Sequence, residues 1–123
     1  MIVIDTSGWV EYLTDGTLAT VYAEYVRRED VLVPTVVLYE VYKLLRRTVS
    51  DEVAEQAAWR LKETNLVTLN HGIALAAADM SLEHGLPMAD AIIYATAQTR
   101  DALVVTSDAH FQGLPGVEFV ARG

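Results

Sequence analysis

The sequence contains no cysteine, which excludes disulfides, iron–sulfur clusters, thiolate zinc sites and thiol catalysis together. Lysine is nearly as scarce, with Lys43 and Lys62 alone. Lysine and arginine together number nine against 17 aspartates and glutamates, a formal net charge of -8 at pH 7. That balance argues against non-specific adhesion to DNA or to an anionic membrane, where a basic surface supplies the attraction. With three prolines, seven glycines and 52% hydrophobic residues, the 123-residue chain has neither a disordered nor a low-complexity composition. The opening Met1-Ile2-Val3-Ile4-Asp5 lacks the basic and long apolar stretches of a secretory leader. Gly, Pro, Thr or His interrupts the longest uncharged stretches, so no membrane span is expected. The expectation is a single cytoplasmic, acidic domain over residues 1–123.

What is present is a hydrophobic pattern that changes period repeatedly. Ile2-Val3-Ile4, Val31-Leu32-Val33, Leu66-Val67-Thr68-Leu69, Ala102 to Thr106 and Val117 to Val120 read as short strands. Helical spacing occupies about Thr17 to Arg28, with Leu18, Val21, Tyr22, Tyr25 and Val26 on one stripe. Further helices run from Thr35, read as a cap, to about Thr48, from Ser50-Asp51-Glu52 onward, from Gly72 to Glu83, and from Met88 to Thr99. Trp9, Tyr12 and Leu13 form an apolar group read as core or oligomer interface. Strands alternating with helices imply crossover connections, hence an α/β fold with a mainly parallel central sheet of about five strands.

Four acids stand out against this pattern. Asp5 ends the first strand and Asp108 lies two residues beyond the fourth, both at carboxyl ends of strands, where open parallel sheets place ligands. Either alone reads as well as a helix cap or a turn residue. Glu40 falls among Val37, Val41 and Leu44, on the apolar side of its helix. Asp90 opens a helix built from Ala91, Ile92, Ile93, Tyr94, Ala95 and Ala97. Carboxylates in such settings cost several kcal/mol unless compensated. Only Lys43 accompanies any of them, three positions after Glu40. An all-oxygen site without cysteine selects Mg²⁺ or Mn²⁺ over zinc. Such a cation binds phosphate and activates water, and a pair about 3.5–4 Å apart stabilises both entering and leaving oxygens of a phosphodiester.

The pieces around these acids resemble the PIN-domain ribonucleases, in particular the small VapC-type toxins of toxin–antitoxin pairs. The resemblance is carried by Ile2-Val3-Ile4-Asp5-Thr6-Ser7, Val33-Pro34 through Glu40 to Leu44, Gly85-Leu86-Pro87-Met88-Ala89-Asp90-Ala91, and Leu103 through Asp108 to Phe111. It implies a PIN-like nuclease domain over residues 1–123, with helices on both faces of the sheet. It implies Mg²⁺- or Mn²⁺-dependent endonucleolytic cleavage of RNA, with Asp5, Glu40, Asp90 and Asp108 as the metal-holding acids. It also implies inhibition by a cognate VapB-type antitoxin and a homodimer. Thr6, Ser7 and Thr106 correspond to hydroxyls that orient carboxylates or metal-bound water, with helix capping an equal reading for Thr6 and Ser7.

Seven of the nine basic residues lie between Arg27 and Lys62. Arg46 and Arg47 follow Glu40 by nearly two helical turns, which suits either a grip on an RNA backbone or an ordinary solvated face. Tyr39 and Tyr42 flank Glu40, with core packing the preferred reading and a place beside the substrate groove the other. His110 beside Phe111 reads as a packed or capping loop residue, with general-base or metal-ligand chemistry the lesser reading. Competing assignments are a non-catalytic acidic α/β interaction domain, degenerate or receiver-like. The receiver design needs adjacent acids after an early strand and a lysine after a late one, and neither Lys43 nor Lys62 follows a late strand.

Overall fold

The computed structural model describes residues 1–123. Its elements, in chain order, are β1 (Ile2–Ile4), α1 (Thr6–Leu13), α2 (Ala19–Val26), β2 (Val31–Pro34), α3 (Thr35–Thr48), α4 (Asp51–Lys62), β3 (Asn65–Val67), α5 (His71–His84), α6 (Met88–Gln98), β4 (Leu103–Thr106) and β5 (Val117–Phe119), with a 3₁₀ turn at Ala109–Phe111. The five strands form one sheet in the order β3-β2-β1-β4-β5, every pairing parallel. β1 is central, with Val3 opposite Leu32 on one side and Val104 on the other. That position explains its unbroken β-branched run, because all three residues are covered on both faces.

The chain steps outward from β1 to β2 and β3, then returns to lay β4 on the other flank of β1. Right-handed crossovers with this order put α1 to α4 on one face and α5 and α6 on the other. The reversal between β1 and β4 opens a crevice at the carboxyl ends of these two strands. Asp5, which follows β1, and Thr106-Ser107-Asp108, which end and follow β4, stand at its edge.

α3 packs through Val37, Val41 and Leu45, all fully buried at helical spacing. α6 is buried nearly all round, through Ala91, Ile93, Tyr94, Ala95, Thr96 and Ala97. Its Tyr94 hydroxyl finds a partner by donating to the Pro115 carbonyl at 2.6 Å. Gly85, with φ +70°, ends α5 in the left-handed conformation that side chains disfavour.

Several local expectations change. The segment Thr6–Leu13 is a helix where none was anticipated, and Trp9 on it is a core residue at 2% exposure. Thr35 is not a cap: Pro34 occupies that position and Thr35 begins the helix. Pro34 holds the extended backbone of the cap position (φ -60°, ψ 140°), so Thr35 already has helical backbone and is one residue too late to cap the first turn. β3 starts at Asn65 and ends at Val67, leaving Thr68 and Leu69 outside the sheet. Asn65 fixes that register by donating its side-chain amide to the Val31 carbonyl at 3.0 Å. Val21 is exposed, so the inner stripe of α2 rests on Tyr22.

α1 and α2 meet closely at Gly8. A Cβ there would lie 2.7 Å from Ile4 Cγ2 and against the Tyr22 ring. Gly8→Ala is therefore expected to destabilise the fold by about 1–3 kcal/mol, through overpacking. The midpoint of urea unfolding at constant slope is the measurement.

Candidate active site

Asp5 caps the N-terminus of α1 and is 3% exposed. One carboxylate oxygen accepts from the Ser7 hydroxyl at 2.8 Å and the Gly8 N–H at 3.2 Å. The other accepts from the Thr106 hydroxyl at 2.7 Å, across the β1–β4 junction. Thr106 in turn accepts the Asp108 N–H at 2.9 Å, so one hydroxyl positions both acids. Burial pushes the Asp5 carboxyl up to about 6, against those three hydrogen bonds and with the Asp108 charge adding to the rise.

Glu40, in the middle of α3, is half-buried and accepts from the Thr6 hydroxyl at 2.6 Å. Asp90, in the first turn of α6, is also half-buried. Its carboxyl is raised chiefly by burial, opposed by a hydrogen bond from His110 and reinforced by the charges of Asp108 and Glu40. Asp5, Glu40, Asp90 and Asp108 line one cleft of about 470 Å³, together with Thr6 and Ser7. All four acids selected from the sequence thus reach one cavity, carried there by β1, α3, α6 and the loop after β4. Thr106 lies beneath it, fully buried.

Asp90 and Asp108 of the cleft, with His110 beside them, form a group that could hold a metal ion, their ligand atoms lying within 4.8 Å of one another. His110 is neither packed nor solely a capping loop residue. Its side chain is 58% exposed, and its backbone N–H donates to Asp108 at 2.9 Å. Its ring Nδ1 lies 2.8 Å from Asp90 Oδ2 and 3.4 Å from Asp108 Oδ1. The hydrogen bond to Asp90, with the two negative charges, raises its pKa and favours the imidazolium. The imidazole bridges the pair, whereas Asp5 and Glu40 have no basic partner. The donor set of clustered carboxylate oxygens, two of them desolvated, fits a hard divalent ion.

A family model for the PIN domain matches residues 2–117. The chain belongs to the PIN-domain family. This PIN domain also superposes on solved structures. A toxin–antitoxin complex from Klebsiella pneumoniae matches with TM-score 0.81 at 23% identity, covering 96% of either chain. VapC20 from Mycobacterium tuberculosis, a sarcin–ricin-loop-cleaving toxin, matches with TM-score 0.82 at 18% identity, covering 96% of this chain and 98% of its own. DNA-bound VapBC from Salmonella typhimurium matches with TM-score 0.77 at 14% identity, covering 98% of either chain. At these identities the likeness is one of fold. No curated protein sequence gives a significant match. Membership in this family removes the receiver-like alternative. No helix of the PIN domain is long and apolar enough to cross a membrane.

Two charged cleft residues escaped the sequence reading. Glu11 lines the cavity and pairs with Arg122 at 2.9 Å, and Arg122 also faces the cavity. The four-residue spacing from Ser7 to Glu11 would have signalled a shared face, had α1 been recognised as a helix. Arg122 carries no local signal at all. Of the two arginines considered for RNA, Arg46 is paired with Asp51 at 3.1 Å and lies over the Tyr42 ring, whereas Arg47 lines a hollow with Thr6 and Glu40.

Proposed function

We propose that residues 1–123 form a metal-dependent endoribonuclease of the VapC toxin type, held in check by an antitoxin. The observation that carries this reading is the convergence of Asp5, Glu40, Asp90 and Asp108, from four separate elements, on one cleft of a PIN domain. Asp5, Asp90, Asp108 and Glu40 would hold Mg²⁺ or Mn²⁺, which when bound neutralises charge on the scissile phosphate and lowers the pKa of water. Thr106 and Ser7 fix both oxygens of Asp5, and Thr6 fixes Glu40, so the carboxylates need not reorganise when substrate arrives. In hydrolysis the water oxygen bonds to phosphorus and the P–O3′ bond breaks. The departing oxygen takes a proton, leaving a 3′-hydroxyl and a 5′-phosphate. His110, exposed beside Asp90 and Asp108, is placed to hand over or accept a proton at Nε2 while Nδ1 stays bonded to Asp90.

The antitoxin belongs to the same proposal, supported by structural neighbours described as toxin–antitoxin and VapBC complexes. So does the homodimer that the family resemblance implies. Mixing purified protein with RNA from its own source, under Mg²⁺, Mn²⁺ or EDTA, tests the central reading. Discrete cuts that require metal and bear 5′-phosphates are expected. Metal-independent cleavage, or none from refolded protein, would remove the assignment.

Metal binding is also expected to appear as stability. At one hundred times its dissociation constant, Mn²⁺ should add about 2.7 kcal/mol, a rise of several degrees in Tm by differential scanning fluorimetry. The Asp5→Asn/Asp90→Asn double variant should lose that rise, and an equal rise there would place the ion elsewhere.

A further inference from the structure

The acid cleft does not end at Glu40. Thr6, Glu40 and Leu44 line both the cleft and an adjoining hollow of about 230 Å³, whose other walls are Tyr39, Lys43 and Arg47. Those three residues also line a third depression, of about 550 Å³, farther along α3. Shared walls make the three one continuous track that starts at the acids and leads outward over the helix.

This track joins the acids to a run of aromatic and basic side chains. Tyr39, Lys43 and Arg47 follow at intervals of four, on a face of α3 away from the buried Val37, Val41 and Leu45. Tyr39 is 60% exposed, so its ring serves no core. The Lys43 ammonium lies 5.5 Å from the ring centroid and donates to the Tyr39 hydroxyl at 3.3 Å. Neither Lys43 nor Arg47 has a carboxylate within ion-pairing distance, whereas Arg27, Arg28, Arg46 and Arg122 do. An exposed aromatic ring beside two cations that lack carboxylate partners is the combination that binds a nucleic-acid strand, through base stacking and phosphate contacts.

We propose that Tyr39, Lys43 and Arg47 form a nucleotide subsite that holds one unpaired base and its adjoining phosphates beside the acid cleft. The subsite rests on the nuclease reading and refines it by assigning one unpaired base beside the cleft to the Tyr39 ring. A base in a duplex has both faces occupied by its neighbours and cannot stack on Tyr39. Continuity with the acid cleft and the two free cations favour RNA over a protein partner on this face.

The test is fluorescence anisotropy with a labelled single-stranded RNA of mixed sequence, about 10 nucleotides long, in Mg²⁺ and an Asp90→Asn background that prevents cutting. Tyr39→Ala should weaken binding by roughly five- to hundredfold, and Tyr39→Phe should retain it. Lys43→Ala and Arg47→Ala should each flatten the slope of log affinity against log salt by about 0.7. A blunt duplex of the same sequence should show no dependence on Tyr39. Several results would overturn the subsite: no binding, equal affinity of Tyr39→Ala and parent, loss in Tyr39→Phe equal to that in Tyr39→Ala, or the same Tyr39 dependence for duplex. Unchanged RNA affinity with altered sedimentation of Tyr39→Ala would assign the face to contact between copies and overturn it as well. Absence of cleavage by the wild type, with these binding effects intact, would remove the nuclease reading alone. Metal-dependent cleavage indifferent to Tyr39→Ala would remove the subsite alone.

Discussion

Asp90→Asn is expected to lower metal-dependent RNA cleavage by about a thousandfold or more while leaving the circular dichroism spectrum unchanged. The substitution keeps shape and volume but removes a charge from the group formed by Asp90, Asp108 and His110. It also removes the anion to which His110 Nδ1 is bonded, so the imidazole loses the contact that most raises its pKa. Both the cation affinity of the cleft and the orientation of its one histidine therefore change together. Single-turnover cleavage at saturating Mn²⁺ is the measurement. Activity within tenfold of wild type would show that Asp90 lies outside the machinery.

Asp5→Asn is expected to abolish activity in the same assay, yet to stabilise the metal-free protein. Burial holds the Asp5 carboxyl near 6 in the folded chain, against an ordinary value of 3.8. The folded form therefore keeps a proton that the unfolded chain releases, and folding takes one up between pH 3.8 and 6. Stability attributable to this group falls as pH rises through that window and stays low above it. At pH 8 in EDTA the cost of ionised Asp5 is on the order of 2–3 kcal/mol, and asparagine does not incur it. Urea unfolding in EDTA should show Asp5→Asn more stable than wild type at pH 8 and no more stable near pH 4. Added Mn²⁺ should reverse the order at pH 8. A wild type as stable at pH 8 as at pH 5 without metal would mean that the carboxylate is compensated by the protein itself. Destabilised carboxylates in an otherwise well-packed domain are the usual trade of stability for function.

How far the sequence revealed this site depended on what kind of signal each residue carried. Asp5 and Asp108 follow apolar β-branched runs, and a buried parallel strand is legible from such a run alone. Glu40 and Asp90 break the apolar pattern of helices long enough to have a readable period. The fold class followed from the same alternation, whereas β3 did not come out in register. Its Leu66 is exposed, and Asn65 fixes the strand through a side-chain bond to β2 that no periodicity encodes. α1 was missed because Thr6-Ser7-Gly8 has turn chemistry; its helix is held by the Asp5 cap and by Tyr22 packing over Gly8. With α1 went Glu11. Arg122 and the bond between His110 and Asp90 exist only in three dimensions, joining segments about 20 or more residues apart.

The hydrogen bond from Thr106 to Asp5 spans 101 positions, and this separation has a meaning during synthesis. As the chain leaves the ribosome, β1 can pair with β2, and α1 to α4 can pack, long before β4 exists. Throughout that interval Asp5 has no Thr106 to fix it, and neither Asp108 nor His110 has been made. The acidic centre is completed only when β4 slots in beside β1 and closes the longest-range strand pairing of the sheet. A chain interrupted before Thr106 therefore carries the first half of the sheet and an incomplete acidic centre. The translating cell would meet the proposed nuclease only as a nearly finished protein.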